Sequence, residues 1–139
     1  MTHVQHTLNI ATGGQGLYEF SDDVRAWTDQ QGVDCGLLTV FCTHTSASLT
    51  IQENADPDVC RDLETFFCKL VSDDASLYRH TNEGRDDMPA HIRSALGDVS
   101  LSVPVMAGRL TLGTWQGIFL FEHRTAPHRR QVILHLNGE

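Results

Sequence analysis

The last third of the chain reads as sheet and nothing else. Val99, Leu101, Val103 and Val105 alternate with Ser100, Ser102 and Pro104. A period of two separates an apolar side from a polar side only when the backbone is extended. Leu110 and Leu112 follow the turn at Ala107-Gly108, and Val132 to Leu136 closes the segment. Ile118-Phe119-Leu120-Phe121 is apolar on both parities. Such a strand is buried on both faces or meets another subunit.

The first two thirds mix the two periods. His6 to Ile10 alternates as a strand, and Gly13, Gly14 and Gly16 mark a turn. No Gly-Lys-Ser/Thr follows, so this is not a phosphate-binding P-loop. Ser21 is an expected N-cap for a helix over 22–31, with Val24 and Trp27 toward the core and Gly32 at C′. Cys35 to Cys42 is a dense apolar run expected to be a buried strand, and Ala47 to Glu53 a second strand. From Asp58 to Val71 the residues Val59, Leu63, Phe66, Phe67, Leu70 and Val71 recur at helical spacing. A shorter helix spans Met88 to Leu96, with Asp87 as cap, Pro89 in the first turn and Gly97 as the stop. The order βαββααββββ predicts one α+β domain over 1–139, a largely antiparallel sheet packed with about three helices.

Composition narrows the partners. A net charge of −8 over 139 residues repels the phosphate backbone, so no nucleic-acid partner is expected. Arg124, His128, Arg129 and Arg130 form one local basic spot, either a ligand-facing patch or a solvated loop before the last strand. No apolar run approaches the roughly 20 residues of a bilayer span, and no signal peptide opens the chain, so no membrane association is expected. Cys35, Cys42, Cys60 and Cys68 form no C-x-x-C pair and read as buried reduced thiols of a cytoplasmic protein.

Four segments carry candidate chemistry. If the run after His44 is extended, His44, Ser46, Ser48 and Thr50 share one face, either a hydroxyl-lined ligand surface or an ordinary polar sheet face. The stretch His80 to His91 places His80 on a loop, the pair Asp86-Asp87 at a helix start and His91 one turn in. Imidazoles suit zinc and other transition metals, whereas adjacent carboxylates suit Mg²⁺ or serve only as caps. In Gly113-Thr114-Trp115-Gln116-Gly117 the glycines mark a close backbone approach. Trp115 there either stacks on a flat ligand, with Thr114 and Gln116 on its edge, or fills the core. Glu122 and Arg124 end the next strand as a surface ion pair, or as a general base and a phosphate-binding guanidinium.

Taken together, these segments resemble the YjbQ-like family over nearly the whole chain. The resemblance is carried by His44-Thr45-Ser46-Ala47-Ser48, by Asn54, by Asp86-Asp87-Met88-Pro89-Ala90-His91, by the block from Ser100 to Gly117, and by Glu122-His123-Arg124. It implies a homotrimer with polar pockets between subunits, and a divalent metal (zinc or another transition metal, with Mg²⁺ as an alternative) on His44, His80 and His91. It implies a secondary thiamine-phosphate synthase, which joins a pyrimidine-methyl diphosphate to a thiazole phosphate and releases pyrophosphate. On that reading Asp87, His91 and Glu122 are catalytic. Thr45, Ser46, Ser48, Asn54, Thr114, Trp115, Gln116 and Arg124 hold the phosphorylated metabolite. The alternatives are a histidine-metal hydrolase or phosphatase, and a non-catalytic trimeric binder.

Overall fold

The computed structural model describes residues 1–139. Eight strands and three α-helices follow in the order β1 (Thr2–Thr12), β2 (Gly16–Glu19), α1 (Ser21–Asp29), β3 (Gly36–Cys42), β4 (Ala47–Glu53), α2 (Pro57–Leu70), α3 (Asp87–Leu96), β5 (Ser100–Met106), β6 (Arg109–Leu110), β7 (Gln116–Glu122) and β8 (His128–Gly138). All strand pairs are antiparallel. They form a five-stranded sheet, β1-β8-β3-β5-β6, and a three-stranded sheet, β2-β7-β4. The expected α+β class therefore holds, with the strands divided between two sheets.

The core lies between the sheets. Leu38, Val40, Leu101, Val103, Val105, Val132, Leu134 and Leu136 come from the larger sheet, and Ala47, Leu49, Ile118 and Leu120 from the smaller. Period two explains this, because alternate residues of each strand share one inner face. β7 is buried on both faces within one chain. Ile118 and Leu120 point into the core, while Phe121 meets Phe67 of α2 edge-on at 5.1 Å.

Several local expectations are corrected. Short β2 follows the glycine turn and has no counterpart among the expected strands. Ser21 lies inside α1 and does not cap it; its hydroxyl donates to Glu19 and accepts the Ile118 amide. α1 ends at Asp29, before Gly32. β3 is buried on one face only, leaving Leu37 and Phe41 exposed. α2 has the expected amphipathic pattern, capped by the Asp56 carboxylate, yet none of its residues is fully buried. All four cysteines are free, but only Cys42 is buried. No helix is long and apolar enough to cross a membrane.

Candidate functional site

The N-terminus of α3 gathers the strongest cluster. Asp87 opens the helix and His91 stands four residues on, so both occupy one face. His80 arrives from the preceding loop. Its Nε2 lies 2.7 Å from Asp87 Oδ2, and His91 Nε2 lies 3.1 Å from the same oxygen. One ligand atom from each of His80, Asp87 and His91 lies within 4.8 Å of the others. Asp87 is almost fully buried, whereas both rings reach the surface.

Neighbouring groups hold these side chains in place. His91 Nδ1 stands 3.0 Å from the Thr45 carbonyl, an acceptor only, so the ring proton sits on Nδ1. In a neutral ring Nε2 is then a bare lone pair facing an ionised carboxylate oxygen. Two acceptors at 3.1 Å require a second ring proton or a cation between them. Arg124 holds Asp87 from the other side, donating from Nη1 to Oδ1 at 2.9 Å, while its Nε donates to Asp86 at 2.9 Å. Burial opposes ionisation of Asp86, but the Arg124 guanidinium and the Thr125 amide outweigh it and hold the carboxyl down to about 2. For Asp87 too, burial raises and the bonds from His80, His91 and Arg124 lower, with a net fall.

The donor set fits a metal of the zinc type. Two imidazoles and one carboxylate make three protein ligands with positions left for water or substrate. It fits Mg²⁺ poorly. Asp86 does not converge with Asp87 on one point, because its Oδ2 already accepts from Arg124 and from the amide and hydroxyl of Thr125.

The remaining expected site residues fall elsewhere. His44 stands apart from His80 and His91 within the chain, its Nε2 accepting the Gln131 amide at 2.8 Å. The hydroxyl row is broken because residues 45 and 46 bend before β4 begins. Ser46 and Ser48 are buried, bonded to Arg130 and His123. Thr45 contributes its carbonyl. Glu122 and Arg124 are not paired. The inner parity of β7 sends Glu122 into the core end, where Arg130 grips both its oxygens and Thr12 donates to it at 2.6 Å. This pair is 0% and 4% exposed, so the basic spot near the C-terminus is not one patch.

Asn54, Thr114, Trp115 and Gln116 lie at the opposite end of the β4–β7 pair. The register sets Ala47 against Glu122 and Glu53 against Gln116. Seven residues of strand separate the two ends by about 20 Å. Trp115 is 62% exposed and so does not fill the core. The close approach expected of the glycines is real at Gly117, where a Cβ would meet Glu19 Oε2 at 2.5 Å.

His123 and Arg93 were not expected as site residues. Both are buried, 1% and 5% exposed, beneath α2. Sequence offered only a histidine next to Glu122 and a helix arginine, neither with a spacing motif.

An α+β protein with two antiparallel sheets and a His-Asp-His cluster at a helix start is the class these observations define. Residues 6–139 match the family model described as UPF0047 protein YjbQ-like. The chain belongs to this YjbQ/UPF0047 family. It is 58% identical to a UPF0047 protein of Synechocystis over 97% of this chain and 92% of that one. It is 46% identical to UPF0047 protein YjbQ of Salmonella typhimurium, over 97% of this chain and 98% of that one. The crystal structure of a conserved hypothetical protein from Thermus thermophilus superposes with a TM-score of 0.84 at 34% identity, covering 95% of this chain and 99% of that one.

Proposed function

We propose that this protein is a metal-dependent enzyme acting on small phosphorylated metabolites, with thiamine-phosphate synthesis as a slow secondary activity. One observation carries the reading: Nε2 of His80 and Nε2 of His91 converge on one oxygen of the buried Asp87 carboxylate, at 2.7 and 3.1 Å. A divalent transition metal held there supplies a Lewis acid for phosphoryl oxygens and an activated water. Thr45 fixes the His91 tautomer, and Arg124 keeps Asp87 ionised and oriented. Pyrophosphate release from a pyrimidine-methyl diphosphate needs charge neutralisation on the leaving group, and ester hydrolysis needs the same centre.

A homotrimer is part of the proposal. Trp115 and Gln116 lie too far from His91 to serve it within one chain, and Leu37 and Phe41 stand exposed on the outer sheet face. A neighbouring copy brings such a turn to the cluster.

The test combines metal analysis of tag-free protein with two assays. One follows pyrophosphate release from the two thiamine precursors, the other hydrolysis of a generic phosphomonoester. Wild type should bind about one ion per chain, and kcat/KM for synthesis should lie below about 10⁴ M⁻¹s⁻¹. His91→Ala should lose both the ion and the activities. Retention of full metal content by His91→Ala would sink the assignment.

A further inference from the structure

Asp87 and Glu122, two buried carboxylates, pair with Arg124 and Arg130. Arg93, 5% exposed, faces no carboxylate within salt-bridge distance. Its Nε donates to the Phe67 carbonyl at 3.1 Å and its Nη2 to that of Val71 at 3.0 Å, which caps the end of α2. A helix C-terminus carries roughly half a negative charge, so the guanidinium is compensated only in part. Its Nη1 has no partner in the protein, and Arg93 lines two adjoining cavities of about 150 and 390 Å³.

His123 lines the smaller cavity beside it. Its Nε2 lies 2.9 Å from the Ser48 hydroxyl, which has no other partner and is free to donate. With that hydroxyl donating, the ring proton sits on Nδ1, which has no partner in the protein. Burial first, and the Arg93 charge second, push the His123 pKa down to about 4, so the ring is neutral at physiological pH. Glu64 lines the same cavity, accepting the Leu17 amide through Oε1 at 3.2 Å. Glu122, also on the wall, is already neutralised by Arg130.

We infer that this cavity beneath α2 is a second binding site, separate from the His80–Asp87–His91 cluster, for inorganic phosphate or the phosphoryl end of a small metabolite. Arg93 and His123 donate to its oxygens, and Glu64 accepts its remaining hydroxyl. The carboxylate sets the class: sulfate has no proton to give at neutral pH and meets Glu64 as a like charge, whereas inorganic phosphate keeps a hydroxyl there and a phosphomonoester, with a second pKa of about 6, needs only a small upward shift to keep its own. A volume of about 150 Å³ holds such an ion with a few waters, and the larger chamber accommodates what it is attached to.

The test is a titration of ¹⁵N-labelled wild-type protein with inorganic phosphate and, separately, sulfate, at constant ionic strength. The His123 ring and Arg93 guanidinium resonances are followed. Both should shift saturably with phosphate, and His123 should titrate at higher pH once an anion stands beside it. Sulfate should bind at least about tenfold more weakly, the worth of one charge-assisted hydrogen bond. His123→Phe keeps the aromatic packing with Phe67 and Phe121 and should weaken phosphate about tenfold. Chelator-treated protein and His91→Ala should respond like wild type, which separates this site from the metal cluster. Absence of a saturable phosphate shift at these two residues, or equal binding of sulfate, overturns the inference and leaves Arg93 as a helix cap alone.

Discussion

Glu122 and Arg124 stand two residues apart, and each joins a carboxylate–guanidinium network of opposite character. The Glu122–Arg130 pair is sealed in the core end, with both carboxylate oxygens filled by Arg130, Thr12 and two backbone amides. The Arg124–Asp86–Asp87 network is anchored on one side and open on the other, where His80 and His91 reach the surface. The closed network leaves no lone pair for a ligand. The open one leaves an acceptor pair that only an added proton or cation satisfies. Charge alone does not mark a site; spare valence at an accessible atom does.

The largest expected effect separates the two by stability. Arg130→Ala strands Glu122 as an unpaired buried charge and should cost about 3–5 kcal/mol in urea unfolding. Arg124→Ala exposes Asp86 and Asp87 to water and should cost about 2 kcal/mol. It should also weaken metal binding roughly 10- to 100-fold by freeing Asp87, while Arg130→Ala leaves the ligand set itself intact. Equal destabilisation by the two variants would collapse the distinction.

The next effect sharpens the contrast by pH. His123 sits between the two networks, its native pKa down at about 4 from 6.5. The unfolded chain therefore takes up this proton first. The associated stability is full above about pH 6.5 and is lost as pH falls to about 4, about 3 kcal/mol in all. Asp86, lowered from 3.8 to about 2, gives way later, losing about 2 kcal/mol between those values. Unfolding free energies measured from pH 7 to 3 should fall mainly in the first window, and His123→Phe should flatten that window alone. A wild-type profile flat from pH 6.5 to 4 would contradict the buried neutral ring.

Local patterning made most of the fold legible. Period two located the strands of the last third, and of the two readings of Ile118 to Phe121, burial on both faces or contact with another subunit, the first is met within one chain. α2 lies where its apolar stripe placed it, yet Phe66 and Leu70 on that stripe are more than half exposed. A helical period reports an apolar face, not what covers it. The site was legible where its residues share a helix start, as Asp87 and His91 do. His44 lies beyond the reach of that rule, because it belongs to the irregular stretch between β3 and β4 and to no helix. Arg93 and His123 were hidden for a related reason: their importance rests on absent partners, which no spacing encodes.

The smallest expected effect isolates how Thr45 serves the open network. Its side chain is exposed, and its one bond to the cluster comes from the backbone carbonyl, which accepts from His91 Nδ1. A carbonyl survives replacement of the side chain. Thr45→Ala should therefore leave stability within about 0.5 kcal/mol of wild type and leave metal content unchanged. His91→Asn, which loses Nε2 but can still donate to that carbonyl, should keep the turn in place and release the metal. The comparison is read by metal analysis and by the Thr45 carbonyl carbon shift. If Thr45→Ala also loses the metal, the hydroxyl itself takes part and the carbonyl alone does not hold His91 in place.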